Sequence, residues 1–97
     1  MSELHRLQNW YRSQCNEDWE HSFGVKIDTL DNPGWMVKID LAETTLEQKP
    51  FEPLYRGDSD TDADWIVCKL DAKQFVGYGG ASNLSELLRI FLDWAGS

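Results

Sequence analysis

The chain has 97 residues, of which 41% are hydrophobic and 27% charged, and its net charge is −8. This length supports one hydrophobic core, so residues 1–97 are predicted to form a single domain that is not disordered. The acidic balance argues against nucleic acid and against an anionic membrane surface as direct ligands, because basic protein faces bind both. It suits a partner protein with a basic surface, although a role in solubility explains it equally well.

No apolar run approaches the about 20 residues that span a bilayer, and the N-terminal residues lack the continuous apolar segment of a signal peptide. We therefore expect a cytoplasmic protein. Cys15 and Cys68 are the only cysteines, and both are predicted to be free thiols packed in the core. Neither has a zinc-binding spacing to His5 or His21, so no metal and no cofactor is predicted.

Residues 3–17 have the pattern of an amphipathic helix. Apolar side chains recur at spacings of three and four, at Leu4, Leu7, Trp10, Tyr11 and Cys15. Ser2 is expected to cap the start of this helix.

Residues 25–30 and 35–42 alternate between apolar and polar side chains and predict two paired strands. The odd-numbered residues of both strands form the apolar face. The other face carries Lys26, Asp28, Lys38 and Asp40, whose opposite charges are expected to pair across the strands.

The connection between these strands contains Pro33-Gly34, which predicts a type II turn with a positive φ at Gly34. Because the core-facing residues are odd-numbered on both strands, directly opposed residues must have numbers with an even sum. A two-residue turn breaks that rule, so the loop is predicted to have an odd length or to contain a β-bulge near Gly34.

Residues 43–57 show no regular pattern, and Pro50 and Pro53 interrupt them. Phe51, Leu54 and Tyr55 are expected to anchor this segment to the core. Residues 57–64 follow as an acidic loop with aspartates at positions 58, 60, 62 and 64.

Residues 65–70 and 74–78 predict two further strands, and Gly77, Gly79 and Gly80 indicate a bend or a close approach of the backbone. Asn83 and Glu86 resemble a capping box at the start of a last helix, which ends at Gly96. The order of elements predicts an α+β fold, in which the N- and C-terminal helices pack on one face of an antiparallel sheet of about four strands.

The aspartate series is the clearest candidate for a functional site. Its spacing begins like a calcium loop, but Ala63 and Lys69 occupy the positions where an EF-hand needs glycine and a bidentate glutamate. A solvated loop and a contact surface for a basic partner remain as alternatives. A second acidic cluster, Glu17, Asp18 and Glu20, surrounds Trp19, for which core packing is favoured.

Catalysis has little support in the sequence. Glu20 and His21 could act as an acid–base pair, but no nucleophile or second base accompanies them. Cys68 lies in an apolar strand, where burial suppresses thiol reactivity. The glycines at 77–80 lack the spacing of a phosphate-binding loop. We therefore predict a protein that is not an enzyme.

Several motifs resemble a known family. They are WYxxQC at residues 10–15, DWEH at 18–21, IDTLDNPGW at 27–35 and IDL at 39–41, followed by a C-terminal half with Trp65, Cys68, Phe75 and a helix ending in Phe91 to Trp94. Together they resemble the immunity protein 53 family of bacterial polymorphic toxin systems over essentially the whole chain. The resemblance implies a small α+β protein that binds and neutralises a toxin encoded beside it.

The charge pattern adds a hypothesis about the contact surface. An acidic protein can occupy the basic cleft of a toxin such as a nuclease and associate quickly with it. The predicted contact residues are Asp58, Asp60, Asp62, Asp64, Glu17, Asp18 and Glu20, with Tyr55 and Trp65 as aromatic anchors. The alternatives are an adaptor domain unrelated to toxins and a small enzyme using Glu20 and His21. The oligomeric state is left open.

Overall fold

The computed structural model describes residues 2–97. Its elements, in chain order, are α1 (Glu3–Gln14), α2 (Trp19–Ser22), β1 (Val25–Leu30), β2 (Gly34–Asp40), β3 (Leu54–Arg56), β4 (Ile66–Asp71), β5 (Gln74–Gly79) and α3 (Leu84–Ala95). The strands form one antiparallel sheet in the order β1-β2-β5-β4-β3. The predicted α+β fold with two terminal helices is confirmed. The sheet has five strands because residues 54–56, in the segment without a pattern, pair with the edge of β4.

Helix α1 begins as predicted, since the Ser2 hydroxyl accepts a hydrogen bond from the His5 amide at 3.1 Å. It ends at Gln14 instead of residue 17 because the backbone of Cys15 is extended, with φ −67° and ψ 122°, outside the helical region. Only part of the predicted apolar stripe is covered: Leu4 and Tyr11 remain 66% and 38% exposed.

The β1–β2 hairpin has the predicted odd-length loop. Leu30 pairs with Gly34, so residues 31–33 form a three-residue loop and opposed residue numbers sum to an even value. The predicted type II turn is wrong. Gly34 begins β2 without a positive φ, and the Asn32–Pro33 peptide bond is cis. A glycine is needed at position 34 for another reason, because a Cβ there would overlap the carbonyl oxygen of Gly79.

The core lies between the sheet and the helices. The odd-numbered residues of β2 and β5 and the even-numbered residues of β4 face α3, as the alternation along each strand requires. Its fully buried side chains are Phe75, Phe91, Ile39, Leu41, Ile66, Leu87, Leu92, Val37 and Cys68. Helix α3 approaches β5 closely at Gly77, where an added Cβ would stand 3.2 Å from Leu87. Helix α1 joins this core through Trp10, whose ring lies 5.0 Å from that of Phe91.

The predictions for the ends of α3 have different outcomes. Gly96 is the left-handed C-cap, as predicted. Asn83 precedes the helix but does not cap it with its side chain, which donates instead to the carbonyl of Trp65 and to Asp64 at 3.1 Å each. The predicted capping box is therefore not formed.

The predicted anchors of residues 43–57 are only partly correct. Phe51 packs edge-to-face against Phe75 and Trp94, with ring centroids 5.5 and 5.4 Å apart. Leu54 and Tyr55 are 41% and 66% exposed. They lie on an edge strand with a neighbour on one side only, so the sheet covers them poorly.

Candidate functional site: two acidic clusters at opposite ends of the sheet

The acidic loop, residues 57–64, is held in shape by its own carboxylates. The Asp58 carboxylate accepts a hydrogen bond from the Asp60 amide at 2.8 Å, and the Asp62 carboxylate accepts one from the Asp58 amide at 3.0 Å. The Asp62 amide also donates to the Asp58 carbonyl at 2.8 Å. Two of the four aspartates therefore stabilise the loop, as is common for this residue in turns.

Asp64 is tied to the rest of the molecule by Arg56. Its carboxylate lies 2.7 Å from Arg56 Nη2, and Arg56 also forms a bidentate pair with Glu86 at 2.6 and 2.8 Å. Hydrogen bonding to Glu86 raises the pKa of Arg56, and the same contact lowers the pKa of Glu86, because it favours both charged forms. No sequence motif points to Arg56, although it is the only basic residue between Lys49 and Lys69.

Among the predicted contact residues in the acidic loop and beside it, Asp60 and Tyr55 are the most available to a partner. Asp60 is exposed, and its carboxylate accepts no hydrogen bond from residues 2–97. Tyr55 is 66% exposed on β3. Trp65 differs from the prediction, because it is only 6% exposed and packs beneath the loop. There it lines a cavity of about 270 Å³ together with the hairpin residues Asn32 and Pro33.

The second acidic cluster is a tight turn between α1 and α2. Both oxygens of the Glu20 carboxylate accept backbone hydrogen bonds, from the Asn16 and Glu17 amides, at 2.9 Å each. Backbone hydrogen bonding lowers the pKa of Glu20, since it favours the charged carboxylate. Glu20 is thus a structural residue, whereas Glu17 and Asp18 are exposed.

Trp19 packs in the core as favoured by the sequence. It is 2% exposed, and its indole N–H donates to the Ala42 carbonyl at 2.9 Å. This contact places the second cluster beyond the Asp40 end of β2, whereas the acidic loop lies at the Gly34 end, beside Trp65. Seven residues of β2 separate the two ends, a distance of about 20 Å at the usual rise per residue. The structure does not bring the two clusters together.

The open face of the sheet, on the side away from α3, is not acidic. The even-numbered residues lie there as predicted, but the predicted charge pairing is wrong: Lys26 is opposite Lys38, and Asp28 is opposite Met36. Lys69, opposite Val76 on the same face, continues this row. None of the three lysines forms an ion pair with residues 2–97. The two acidic clusters therefore lie at the ends of the sheet and not on its open face.

The groups considered for catalysis have unsuitable chemistry. Cys68 is fully buried, and burial raises the pKa of its thiol to about 12, so the reactive thiolate is scarce at neutral pH. The lowered pKa of Glu20 makes it a weaker base than an ordinary glutamate. Within residues 2–97, no group of three or more His, Cys, Asp or Glu side chains is arranged to hold a metal ion. No helix in that part of the chain is long and apolar enough to cross a membrane.

Comparison with known proteins agrees with the sequence motifs. The model of the immunity protein 53 family matches residues 4–96, which is almost the entire chain. The chain belongs to this family. Searches of curated proteins and of solved structures each find no significant match.

Proposed function

We propose that this protein is a bacterial immunity protein that binds and neutralises a cognate toxin, and that residues 1–97 act in the cytoplasm as one binding domain without an enzymatic activity. The observation that carries this proposal is the family match over residues 4–96. The buried Cys68 thiol and the lowered pKa of Glu20 favour binding over catalysis.

The contact surface that we propose is centred on the acidic loop and Tyr55. The Asp60 carboxylate accepts no hydrogen bond from residues 2–97, so a cation on the toxin can pair with it without breaking such a contact. The hydrogen bonds from Asp58 and Asp62 hold the loop in one shape, which lowers the entropic cost of binding. A toxin with a basic cleft, such as a nuclease that binds phosphate, offers the matching charge and would be steered toward this end.

Glu17, Asp18 and Glu20 have a secondary place in this proposal. They lie at the other end of the sheet, so a toxin that contacts the loop reaches them only across about 20 Å. Trp65 supports the loop from below, and Tyr55 remains as the exposed aromatic anchor.

Co-expression with the protein encoded immediately upstream tests the function. We expect this chain to restore growth of cells that produce that protein and to co-purify with it. The complex should weaken as ionic strength rises, because exposed charge pairs are screened by salt. Growth arrest without rescue and without binding would reject the proposal for this pair. Rescue with salt-insensitive binding would keep the function and remove the acidic surface.

A comparison of Asp60→Lys with Asp18→Lys tests the contact surface. Both aspartates are exposed, and they lie at opposite ends of the sheet. We expect Asp60→Lys to weaken toxin binding at least about tenfold, mainly through a slower association rate, and Asp18→Lys to have little effect. The opposite pattern would move the interface to the α1–α2 turn. Two unaffected variants would mean that charge does not define the interface.

A further inference from the structure

Strand β1 forms a free edge of the sheet. It is the first strand in the order β1-β2-β5-β4-β3, so within the described residues 2–97 its one neighbour in the sheet is β2. The Asp40 amide donates to the Gly24 carbonyl at 3.0 Å, which shows that even-numbered backbone groups on this strand face β2. In an antiparallel ladder the alternate residues face the other way. The backbone groups of Val25, Ile27 and Thr29 therefore point away from the sheet.

Apolar side chains line this edge on the side of the sheet that the helices cover. Ile27 is 37% exposed, and the nearby helix α1 leaves Leu4 and Tyr11 exposed. Between α1 and the start of β1 runs a groove of about 470 Å³, lined by Leu4, Leu7, Gln8, Tyr11, Gly24 and Val25. Exposed strand edges with apolar flanks readily pair with another strand.

The charges on β1 show which strand would fit. Lys26 and Asp28 flank Ile27 on the open face of the sheet, and neither has an opposite charge across from it on β2. An antiparallel copy of β1 that places Ile27 opposite Ile27 puts Lys26 against Asp28 twice. In that register Val25 lies opposite Thr29 of the other copy. The backbone groups of Val25, Ile27 and Thr29 all point outward, so they can form the hydrogen bonds of the new ladder.

Other registers are less favourable. A shift by two residues in one direction places Lys26 opposite Lys26, and a shift in the other direction places Asp28 opposite Asp28. Directly opposed like charges destabilise a strand pair. A shift by one residue brings outward-facing backbone groups against inward-facing ones and reverses the side-chain faces. The strand is therefore complementary to itself in one register.

We propose that a second copy of this chain pairs with β1 about a two-fold axis through Ile27, forming a dimer with a continuous ten-stranded sheet. The interface is isologous and closes with two chains. The axis is perpendicular to the sheet, so the α1 helices of both copies lie on the same side, where Leu4 and Tyr11 flank the shared strands. This inference does not depend on the toxin, since it uses the β1 edge of the sheet, opposite the β3 edge that carries Tyr55.

Measurement of the mass in solution tests the dimer. At about 100 µM, where interfaces with micromolar Kd are populated, we expect twice the 11.2 kDa of one chain. Lys26→Asp and Asp28→Lys each create two like-charge contacts at the axis, so each variant should have the mass of one chain. Lys69→Asp is the matched control, because Lys69 lies on the same face but on β4, and it should leave the dimer intact.

Mixing the two variants makes the test specific. A chain with Lys26→Asp carries two acids at the edge, and a chain with Asp28→Lys carries two lysines. An equimolar mixture should therefore form a heterodimer, visible by native mass spectrometry when one chain is isotope-labelled. The double variant Lys26→Asp with Asp28→Lys should dimerise with itself, which also guards against a folding defect of either single variant. A wild-type protein with the mass of one chain, or a mixture that stays monomeric, would overturn the proposal.

Discussion

Acidic residues that look alike in the sequence have different roles in the structure. Asp58, Asp62 and Glu20 use their carboxylates to bind backbone amides, and Asp64 pairs with Arg56. The Asp60 carboxylate makes no such contact with residues 2–97. A charge count therefore overestimates how many acidic groups are free to bind a partner, because several already satisfy backbone amides that would otherwise lack a partner.

The Glu20 carboxylate gives a pH-dependent prediction at this scale. We expect Glu20→Gln to lower the melting temperature by a few degrees at neutral pH, since an amide has only one oxygen to offer to two backbone amides. The pKa of Glu20 is lowered in the folded state. Its stabilisation is therefore complete above the unfolded pKa of about 4.3 and is lost as the pH falls through the folded pKa.

Thermal unfolding followed by circular dichroism from about pH 7 down to about pH 3 measures this effect. The difference between wild type and Glu20→Gln should be largest at neutral pH and should shrink at the acidic end. Glu17→Gln is the neighbouring control, because the Glu17 side chain makes no hydrogen bond with residues 2–97. A difference that does not change with pH would contradict the role of the charged carboxylate.

Gly80 provides a steric prediction. A Cβ at this position would overlap the backbone carbonyl oxygen of Ala63, so the residues that follow strand β5 or the end of the acidic loop must move. We expect Gly80→Ala to lower the free energy of unfolding by about 1–3 kcal/mol, as overpacking of a close contact does. Urea denaturation measures the change. Gly24→Ala is the control, because an added Cβ there has no neighbour within 4 Å; equal losses for both variants would contradict the steric explanation.

At the scale of elements, the β1–β2 hairpin illustrates how register follows from side-chain alternation. The three-residue loop sets the register in which Leu30 pairs with Gly34. In that register Lys26 lies opposite Lys38. The two strands tolerate this repulsion because Ile39 and Val37 are fully buried on the other face, and any shift by one residue would expose them.

Lys38→Glu should relieve this repulsion. The variant places a glutamate opposite Lys26, and we expect the free energy of unfolding to rise by about 0.2–1 kcal/mol, the usual range for an opposite-charge pair across strands. Urea denaturation in low salt measures the gain. Lys69→Glu is the matched control, because Lys69 faces Val76 and not a lysine. A similar gain in both variants would show that the effect comes from net charge alone.

At the scale of the whole molecule, one arginine links three parts of the chain. Arg56 ends β3, and it binds Asp64 at the end of the acidic loop and Glu86 in the first turn of α3. Local stability in a protein follows the contacts that each segment makes. The loop proposed to bind the toxin is therefore held by a contact that also fixes the edge of the sheet.

Arg56→Met should loosen the acidic loop more than the core. We expect backbone amides of residues 58–62 to exchange hydrogen at least about tenfold faster, while the amides of β2 and β5 stay protected. Hydrogen exchange followed by mass spectrometry measures both regions. Arg89→Met is the control, since its ion pair with Glu3 at 3.6 Å does not touch the loop. Unchanged exchange in the loop would mean that Asp58 and Asp62 alone maintain its shape.

Features that depend on local patterns could be predicted from the amino-acid sequence alone. Alternation and helical spacing predicted both terminal helices, four strands and the odd-length hairpin loop, because these patterns report which face of an element is buried. The motifs around Trp10, Trp19 and Trp35 predicted the family, which the match over residues 4–96 shows.

Features that depend on contacts between distant residues are visible only in the folded chain. Strand β3 exists because residues 54–56 find a partner in β4, and Arg56 acquires its role only when Asp64 and Glu86 fold beside it. The separation of the two acidic clusters also depends on the folded chain, because the acidic loop lies at the Gly34 end of β2 and the α1–α2 turn lies beyond its Asp40 end. Spacing along the chain carries no information about these distances, whereas burial and pairing in three dimensions fix them.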